Sequence, residues 1–135
     1  MGEEETSKPW LRTVREVLEE LRKRFNIEAA IVFGSWSRGG GGEWSDVDLL
    51  VVTNDVGDTN ILDRFTIAAE YRRRKVDLFL YTYSELERMA LRGNALALSV
   101  LLEGVPVVAS SRVEALRASL AKKYRRVGRA WVTVA

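Results

Sequence analysis

The sequence predicts a small mixed-sheet domain of the α/β or α+β class, with about four strands covered by helices. Short apolar runs that suit strands alternate with longer segments whose apolar residues recur at helical spacing. The resulting order is helix, strand, strand, helix, strand, two helices, strand and helix, which is typical of a sheet with helices packed on it. The 135 residues suit one domain, because they contain neither an internal repeat nor an interdomain linker.

The first predicted element is an amphipathic helix over residues 9–24. Pro9 fits its first turn, since a proline has no N–H group to leave unpaired there. The apolar residues recur every three or four positions and form one stripe: Trp10, Leu11, Val14, Val17, Leu18, Leu21 and Phe25. We expect this stripe to face the core.

Two strands are expected next, separated by a glycine-rich loop. Residues 29–33 form a continuous apolar run that stops at Gly34, which suits a buried strand. The stretch from Gly34 to Ser45 contains five glycines, and is typical of a turn followed by a loop. Residues 46–53 form the second strand, with acidic residues at its start and an apolar run after them.

A helix and a third strand follow. The helix ends near Tyr71, and the third strand is an apolar run over residues 76–81 with a single acid inside it. The apolar residues that mark the helix are Ile61, Leu62, Phe65 and Ala68.

Two capping-box patterns mark the start of later helices. Ser84 with Glu87 predicts a helix that ends at Gly93. Ser111 with Glu114 predicts the last helix, residues 111–124.

Between these two helices we expect a short helix over residues 95–102, closed by Gly104, and a fourth strand over residues 105–109. Pro106 predicts that this strand lies at an edge of the sheet, because a proline cannot donate a hydrogen bond to a neighbouring strand. The tail, residues 127–135, suits either a further strand or a docking segment.

The composition removes several classes of chemistry. The chain has no cysteine and no histidine, which excludes disulfides, thiolate zinc sites, histidine metal ligands and Ser-His-Asp catalysis. A metal would then need oxygen ligands, which favours magnesium, manganese or calcium.

No apolar run approaches the roughly 20 residues of a membrane span. The acidic, polar N-terminus is unlike a signal peptide, so we expect a cytoplasmic protein.

Three aspartates are candidate metal ligands. Asp46 and Asp48 lie two apart at the start of the second strand, so both carboxylates point to the same face. Like charges this close repel each other, and a divalent cation between them removes the repulsion. Asp77 completes a three-carboxylate cluster if the third strand pairs beside the second. Such oxygen ligands hold Mg²⁺ and leave positions open for water and phosphate.

A turn after the first strand is the second candidate feature. Gly34 allows a sharp bend and lets a phosphate approach main-chain N–H groups, while the hydroxyl of Ser35 adds a donor. Arg38 follows closely and could neutralise a triphosphate. Each feature alone is more often a plain turn or a solvated strand end, but the combination is far more specific.

The spacing of these residues resembles the signature of the DNA polymerase beta-like nucleotidyltransferase superfamily: Phe33-Gly34-Ser35, then Asp46-Val47-Asp48-Leu49, and later Val76-Asp77-Leu78. Within that superfamily, the segments 34–39, 45–51 and 101–107 are similar to those of the minimal nucleotidyltransferases of prokaryotes. The resemblance covers residues 27–109. The run from Gly39 to Gly42 departs from it, because family members usually carry polar or charged residues there.

The resemblance implies the nucleotidyltransferase fold and transfer of a nucleoside monophosphate by a two-metal mechanism, with ATP as the expected donor. Asp46 and Asp48 would bind the Mg²⁺ or Mn²⁺ ions that hold the triphosphate. Asp77 would complete the catalytic metal site and help to activate the acceptor hydroxyl. Gly34 and Ser35 would hold the β- and γ-phosphates.

Other roles stay open at this point. Minimal members often pair with a small all-helical partner of the HEPN type as antitoxin and toxin, and some add AMP to a tyrosine of it. The chain could therefore act as a binding module, and small members also often form homodimers. Basic clusters at residues 72–75 and 122–126 suit solvated helix ends, and a net charge of +2 is too small to argue for nucleic acid binding.

Overall fold

The computed structural model describes residues 10–34 and 46–134. The helices in this part of the chain are α1 (Trp10–Arg22), α2 (Ile61–Ala69), α3 (Tyr83–Leu91), α4 (Ala95–Leu98) and α5 (Ser111–Ala121). The strands are β1 (Ala29–Phe33), β2 (Val47–Val52), β3 (Val76–Tyr81), β4 (Val105–Val108), β5 (Tyr124–Val127) and β6 (Ala130–Thr133). A π-helical segment, Ser99–Glu103, continues α4.

Four strands form a mixed sheet in the order β3-β2-β1-β4. Strand β1 runs antiparallel to both β2 and β4, whereas β2 and β3 are parallel. A parallel pair needs a crossover connection, and α2 provides it. The structure confirms both the pairing of the second and third strands and the edge position of the strand that contains Pro106.

Both faces of the sheet are covered, each by its own apolar cluster. On one face, α1 packs its buried stripe against alternate residues of β2 such as Leu49 and Val51. On the other face, α3, α4 and α5 pack against residues such as Leu50 and Val52. The alternation of side chains along β2 therefore supplies both cores, and no described helix is long and apolar enough to cross a membrane.

The helix after β2 has the expected position, but most of the apolar residues that mark it are exposed. Three of the apolar residues that mark it are exposed: Ile61 (54%), Leu62 (71%) and Phe65 (63%). The inward face carries Arg64, which is only 7% exposed, together with Ile67 and Ala68, which pack against the core. The sequence pattern identified the helix correctly, but the inward face includes a hydrogen-bonded arginine.

Both predicted helix starts are shifted by one or two residues, and only the first is a capping box. Thr82 caps α3, since its hydroxyl accepts a hydrogen bond from the N–H of Glu85 while the Glu85 carboxylate accepts one from the N–H of Thr82. Ser110, not Ser111, caps α5 by accepting from the N–H of Val113. In each case the capping residue itself is extended, which is the backbone conformation that an N-cap requires.

The C-terminal region ends in a hairpin rather than in a longer helix. Helix α5 stops at Ala121, and β5 pairs with β6 through a turn in which Gly128 has φ +61. The strand alternative for the tail is thus confirmed. Arg126 of the second basic cluster is not a solvated helix end, because it donates to both carboxylate oxygens of Glu103 and stacks 4.6 Å from the ring centre of Trp131.

Candidate active site

Asp48 and Asp77 are direct neighbours across the parallel pair of β2 and β3. Paired residues on adjacent strands present their side chains on the same face, with main chains about 4.8 Å apart. The expectation that Asp77 would lie beside the first two acids is therefore confirmed for Asp48. Asp46 lies just before β2, is exposed, and shares this side of the strand by alternation. We call these three residues the acid row.

The carboxyl group of Asp48 is energetically perturbed. Partial burial, followed by the negative charges of Asp77 and Asp46, raises the pKa of Asp48 to about 6. At neutral pH the group is mostly ionised, but its charge lies in an environment that disfavours it. A bound cation would remove this penalty.

Aromatic side chains account for part of that environment. Phe33 is the residue opposite Asp48 on β1, so Phe33, Asp48 and Asp77 form one line across three strands. The ring of Phe33 packs against that of Phe79, with centroids 5.5 Å apart and a tilt of 58°. The acid row therefore borders an apolar surface on its sheet side.

Gly34 lies next to the acid row, against Asp48. It has φ +79, a conformation that L side chains rarely adopt, and a Cβ atom built on it would overlap the Oδ2 atom of Asp48. The predicted sharp bend after β1 is confirmed, and its backbone lies directly against the Asp48 carboxylate. The role of Gly34 toward phosphate stays a prediction, while Ser35, Arg38 and the run from Gly39 to Gly42 lie outside the described residues.

The acid row fits a magnesium ion as a partial ligand set. Within residues 10–34 and 46–134, no three acidic side chains are arranged so that they could together hold a metal ion. Mg²⁺ does not require such a cage, because proteins usually hold it with one or two carboxylates while water and substrate phosphates complete the octahedron. The adjacent carboxylates of Asp48 and Asp77 match that requirement.

Arg64 and Glu85 form a buried ion pair that the sequence did not indicate. The guanidinium donates to both oxygens of Glu85, at 2.7 and 3.0 Å, and also to the carbonyl groups of Thr59, Leu80 and Val56. All five N–H groups of Arg64 are therefore engaged. This pair ties α2 to the end of β3 opposite Asp77, and nothing in the helical spacing of the segment marks it.

Comparisons with known proteins agree with this geometry. Residues 14–107 match the family described as "Nucleotidyltransferase domain". Among solved structures, a provisionally assigned nucleotidyltransferase from Sulfolobus solfataricus is 30% identical with a TM-score of 0.53, and the alignment covers 62% of this chain and 77% of that chain.

Two further structures share the fold at lower identity. A toxin–antitoxin with AMP-PNP is 18% identical, with a TM-score of 0.55 and coverage of 79% of this chain and 82% of that one. A variant of the toxin–antitoxin MntA–HpeT is 20% identical, with a TM-score of 0.55 and coverage of 79% and 81%. No curated protein matches the chain. Because the family match spans more than half of the chain, the protein belongs to the nucleotidyltransferase domain family.

Proposed function

We propose that the protein transfers AMP from ATP to the hydroxyl group of an acceptor. Membership of the family supports nucleotidyl transfer. The observation that carries the proposal is the pairing of Asp48 with Asp77 on adjacent parallel strands, with the backbone of Gly34 against the Asp48 carboxylate. This arrangement concentrates negative charge at the open end of the two strands, where a cation and a triphosphate would neutralise each other.

In this proposal Asp48 and Asp77 hold one Mg²⁺ or Mn²⁺ ion, and Asp46 with Asp48 binds the ion that accompanies the triphosphate. The bound cation would supply Lewis-acid stabilisation of the charge on the phosphate oxygens. The lack of a side chain at Gly34 lets the triphosphate approach the turn after β1, and Ser35 and Arg38 would add a hydroxyl donor and a positive charge there.

The reaction is a displacement at phosphorus. The acceptor oxygen forms a bond to the α-phosphorus while the bond from that phosphorus to the α,β-bridging oxygen breaks, and pyrophosphate leaves. The Asp77 carboxylate would orient the acceptor hydroxyl and take its proton. The products are the AMP ester of the acceptor and pyrophosphate, so atoms and charge balance without any further reactant.

Transfer of label from α-phosphate-labelled ATP to proteins and RNA of a cell extract tests the proposal. We expect Asp48→Asn and Asp77→Asn to reduce labelling by about 100-fold or more, as loss of a catalytic acid–base group does. Asp58→Asn is the matched control, because Asp58 is an exposed acid outside the acid row. Equal labelling by all four proteins would overturn the assignment of the acid row.

A second candidate is an antitoxin-like module that neutralises a HEPN-type helical partner, with or without adenylylating it. It is favoured by the two toxin–antitoxin structures that share the fold. Co-expression with the product of the adjacent gene discriminates the two roles. A stable complex that also protects cells when the chain carries Asp77→Asn would favour binding alone, whereas protection that requires Asp77 would favour transfer.

A further inference from the structure

A groove runs between α2 and the outer edge of β3. One cavity of about 280 Å³ lies between Phe65 and Ala68 of α2 and residues 77–81 of β3. A second cavity of about 660 Å³ shares Ile61, Arg64 and Tyr81 with the first and extends to Arg88 and Arg92. We call the two together the β3 groove. It starts at Asp77 and continues past the other end of the strand.

The strand that forms one wall has no neighbour on its outer side among the described residues. The N–H of Val47 donates to the carbonyl of Lys75, and the N–H of Thr53 donates to the carbonyl of Tyr81. The main-chain N–H and C=O groups of odd-numbered residues of β3 therefore point toward β2. Main-chain groups of even-numbered residues therefore point outward. The carbonyl of Leu80 already accepts a hydrogen bond from Arg64. The N–H and the C=O group of Leu78 both point into the groove.

The opposite wall carries an exposed apolar surface. Ile61 and Phe65 are more than half exposed and line the groove, and Leu62 lies beside them. Contiguous apolar surface of this kind on a small protein marks an interaction site. The other edge of the sheet differs, since Pro106 in β4 blocks strand addition there.

The two ends of the groove differ in charge. Arg72 and the acid Asp77 both line one end, whereas Arg88 and Arg92 lie at the other end, one helical turn apart. Arg64 in the middle is neutralised by Glu85 and has no N–H group left for a ligand. The groove thus has an apolar centre, one cationic end at Arg88 and Arg92, and one end of mixed charge.

We propose that the β3 groove docks an extended segment of a partner polypeptide that has apolar side chains at alternate positions and acidic residues at one end. The segment adds to β3 as a further strand, with main-chain hydrogen bonds to Leu78, and places apolar side chains against Phe65 and Ile61. Its acidic end faces Arg88 and Arg92.

Two other occupants fit less well. A second copy paired antiparallel through β3 would bring Arg72 and Asp77 of one copy toward Arg88 and Arg92 of the other, which sets three positive charges against one negative charge and is repulsive on balance. A single-stranded nucleic acid could use the arginines and the ring of Phe65, but it has no main-chain groups that match those of Leu78. A polypeptide can use the main-chain groups of Leu78, the apolar surface of α2 and the arginines together.

The test uses two labelled synthetic peptides of alternating valine and threonine, one with two glutamates at one end and one with two lysines there. We expect fluorescence anisotropy to show the acidic peptide binding at least about tenfold more tightly, with an affinity that falls as salt is added. Phe65→Asp and the double substitution Arg88→Glu with Arg92→Glu should each weaken it by about tenfold or more. Val127→Asp is the matched control, because Val127 is also exposed but lies outside the groove.

Amide chemical shifts locate the binding site, and the main expected change is at Leu78. Equal binding of the two peptides, or equal binding by Phe65→Asp and the wild type, would overturn the proposal. A dimer in analytical ultracentrifugation that dissociates in Phe65→Asp would also overturn the proposal, because the occupant would then be a second copy. Displacement of the acidic peptide by oligothymidine would overturn it as well, because the occupant would then be a nucleic acid. Docking does not depend on nucleotide transfer, so Phe65→Asp should bind Mg²⁺-ATP normally, which separates failure of this proposal from failure of the first.

Discussion

The α-carbon of Gly34 lies so close to the carboxylate of Asp48 that a Cβ atom on it would overlap the Oδ2 atom and force the carboxyl group to move. This contact joins the bend after β1 to the acid row on β2, although the two residues belong to separate motifs in the sequence. It explains why the bend needs glycine on two grounds, its positive φ and its neighbour. The same closeness would allow a phosphate bound at the bend to reach a cation held by Asp48.

Gly34→Ala should destabilise the protein more than an equivalent change at another left-handed glycine. The left-handed conformation alone costs an L residue about 1–2 kcal/mol, and at Gly34 the overlap with Asp48 adds to that. Gly128→Ala is the control, since Gly128 has φ +61 but a methyl group added there would meet no other atom within 4 Å. Urea denaturation measures both free energies of unfolding, and equal losses would contradict the close contact.

The stability of the protein should depend on the ionisation of Asp48 when divalent metal is absent. Its pKa is about 6 in the folded protein against 3.8 for the ordinary group. A raised pKa means that the protonated carboxyl is favoured in the folded state. Its contribution is fully present below about pH 4 and is lost as the pH rises through about 6. In EDTA, Asp48→Asn should therefore have a higher Tm than the wild type at pH 7.5.

The pH dependence of that difference is the control. The gap in Tm between Asp48→Asn and the wild type should close as the pH falls from about 6 to 4, because the wild-type carboxyl is then protonated as well. A gap that stays constant from pH 4 to 7.5 would mean that burial and neighbouring charges do not perturb Asp48.

Arg64→Ala should be among the more damaging single substitutions outside the acid row. It leaves the Glu85 carboxylate without its cation and the carbonyl groups of Val56 and Leu80 without a donor. Removing one partner of a buried ion pair costs about 3–5 kcal/mol, and partial exposure of Glu85 places the expected loss near the lower value. Chemical denaturation measures it.

An exposed ion pair provides the comparison. Arg24 bonds to Glu70 at 2.7 Å, but both side chains are exposed, so Arg24→Ala should change stability by less than about 1 kcal/mol. Arg64 also lowers the pKa of Glu85, so the advantage of the wild type over Arg64→Ala should shrink when the pH falls below about 4.5. Similar losses for the two arginines would show that burial of the Arg64 pair contributes little.

The strands and the acid row follow from local rules, which is why they could be predicted from the sequence. Strand β1 is a continuous apolar run ended by Gly34, and β3 an apolar run with one acid, and both have the expected bounds. Alternation along a strand places Asp46 and Asp48 on one face without any tertiary information. The position of Asp77 needed only one further step, the pairing of two strands.

The orientation of α2 could not be predicted in the same way. Apolar residues at helical spacing normally face the core, yet Ile61 and Phe65 are exposed while Arg64 is buried. That outcome depends on three carbonyl groups and a carboxylate that lie outside α2, in the loop before it, at the end of β3 and in α3. The hairpin of β5 and β6 could not be predicted from local sequence either, because it depends on the tertiary contacts of Arg126 with Glu103 and Trp131.

Titration of the Asp48 side-chain carbon by NMR tests the central claim most directly, namely that the acid row binds a metal–nucleotide complex. Without divalent metal the group should titrate near pH 6. With Mg²⁺ and a non-hydrolysable ATP analogue, its pKa should fall well below that value, because the bound cation stabilises the ionised form. A titration curve that is unchanged by saturating metal and nucleotide would contradict the proposed role of Asp48 and its neighbours.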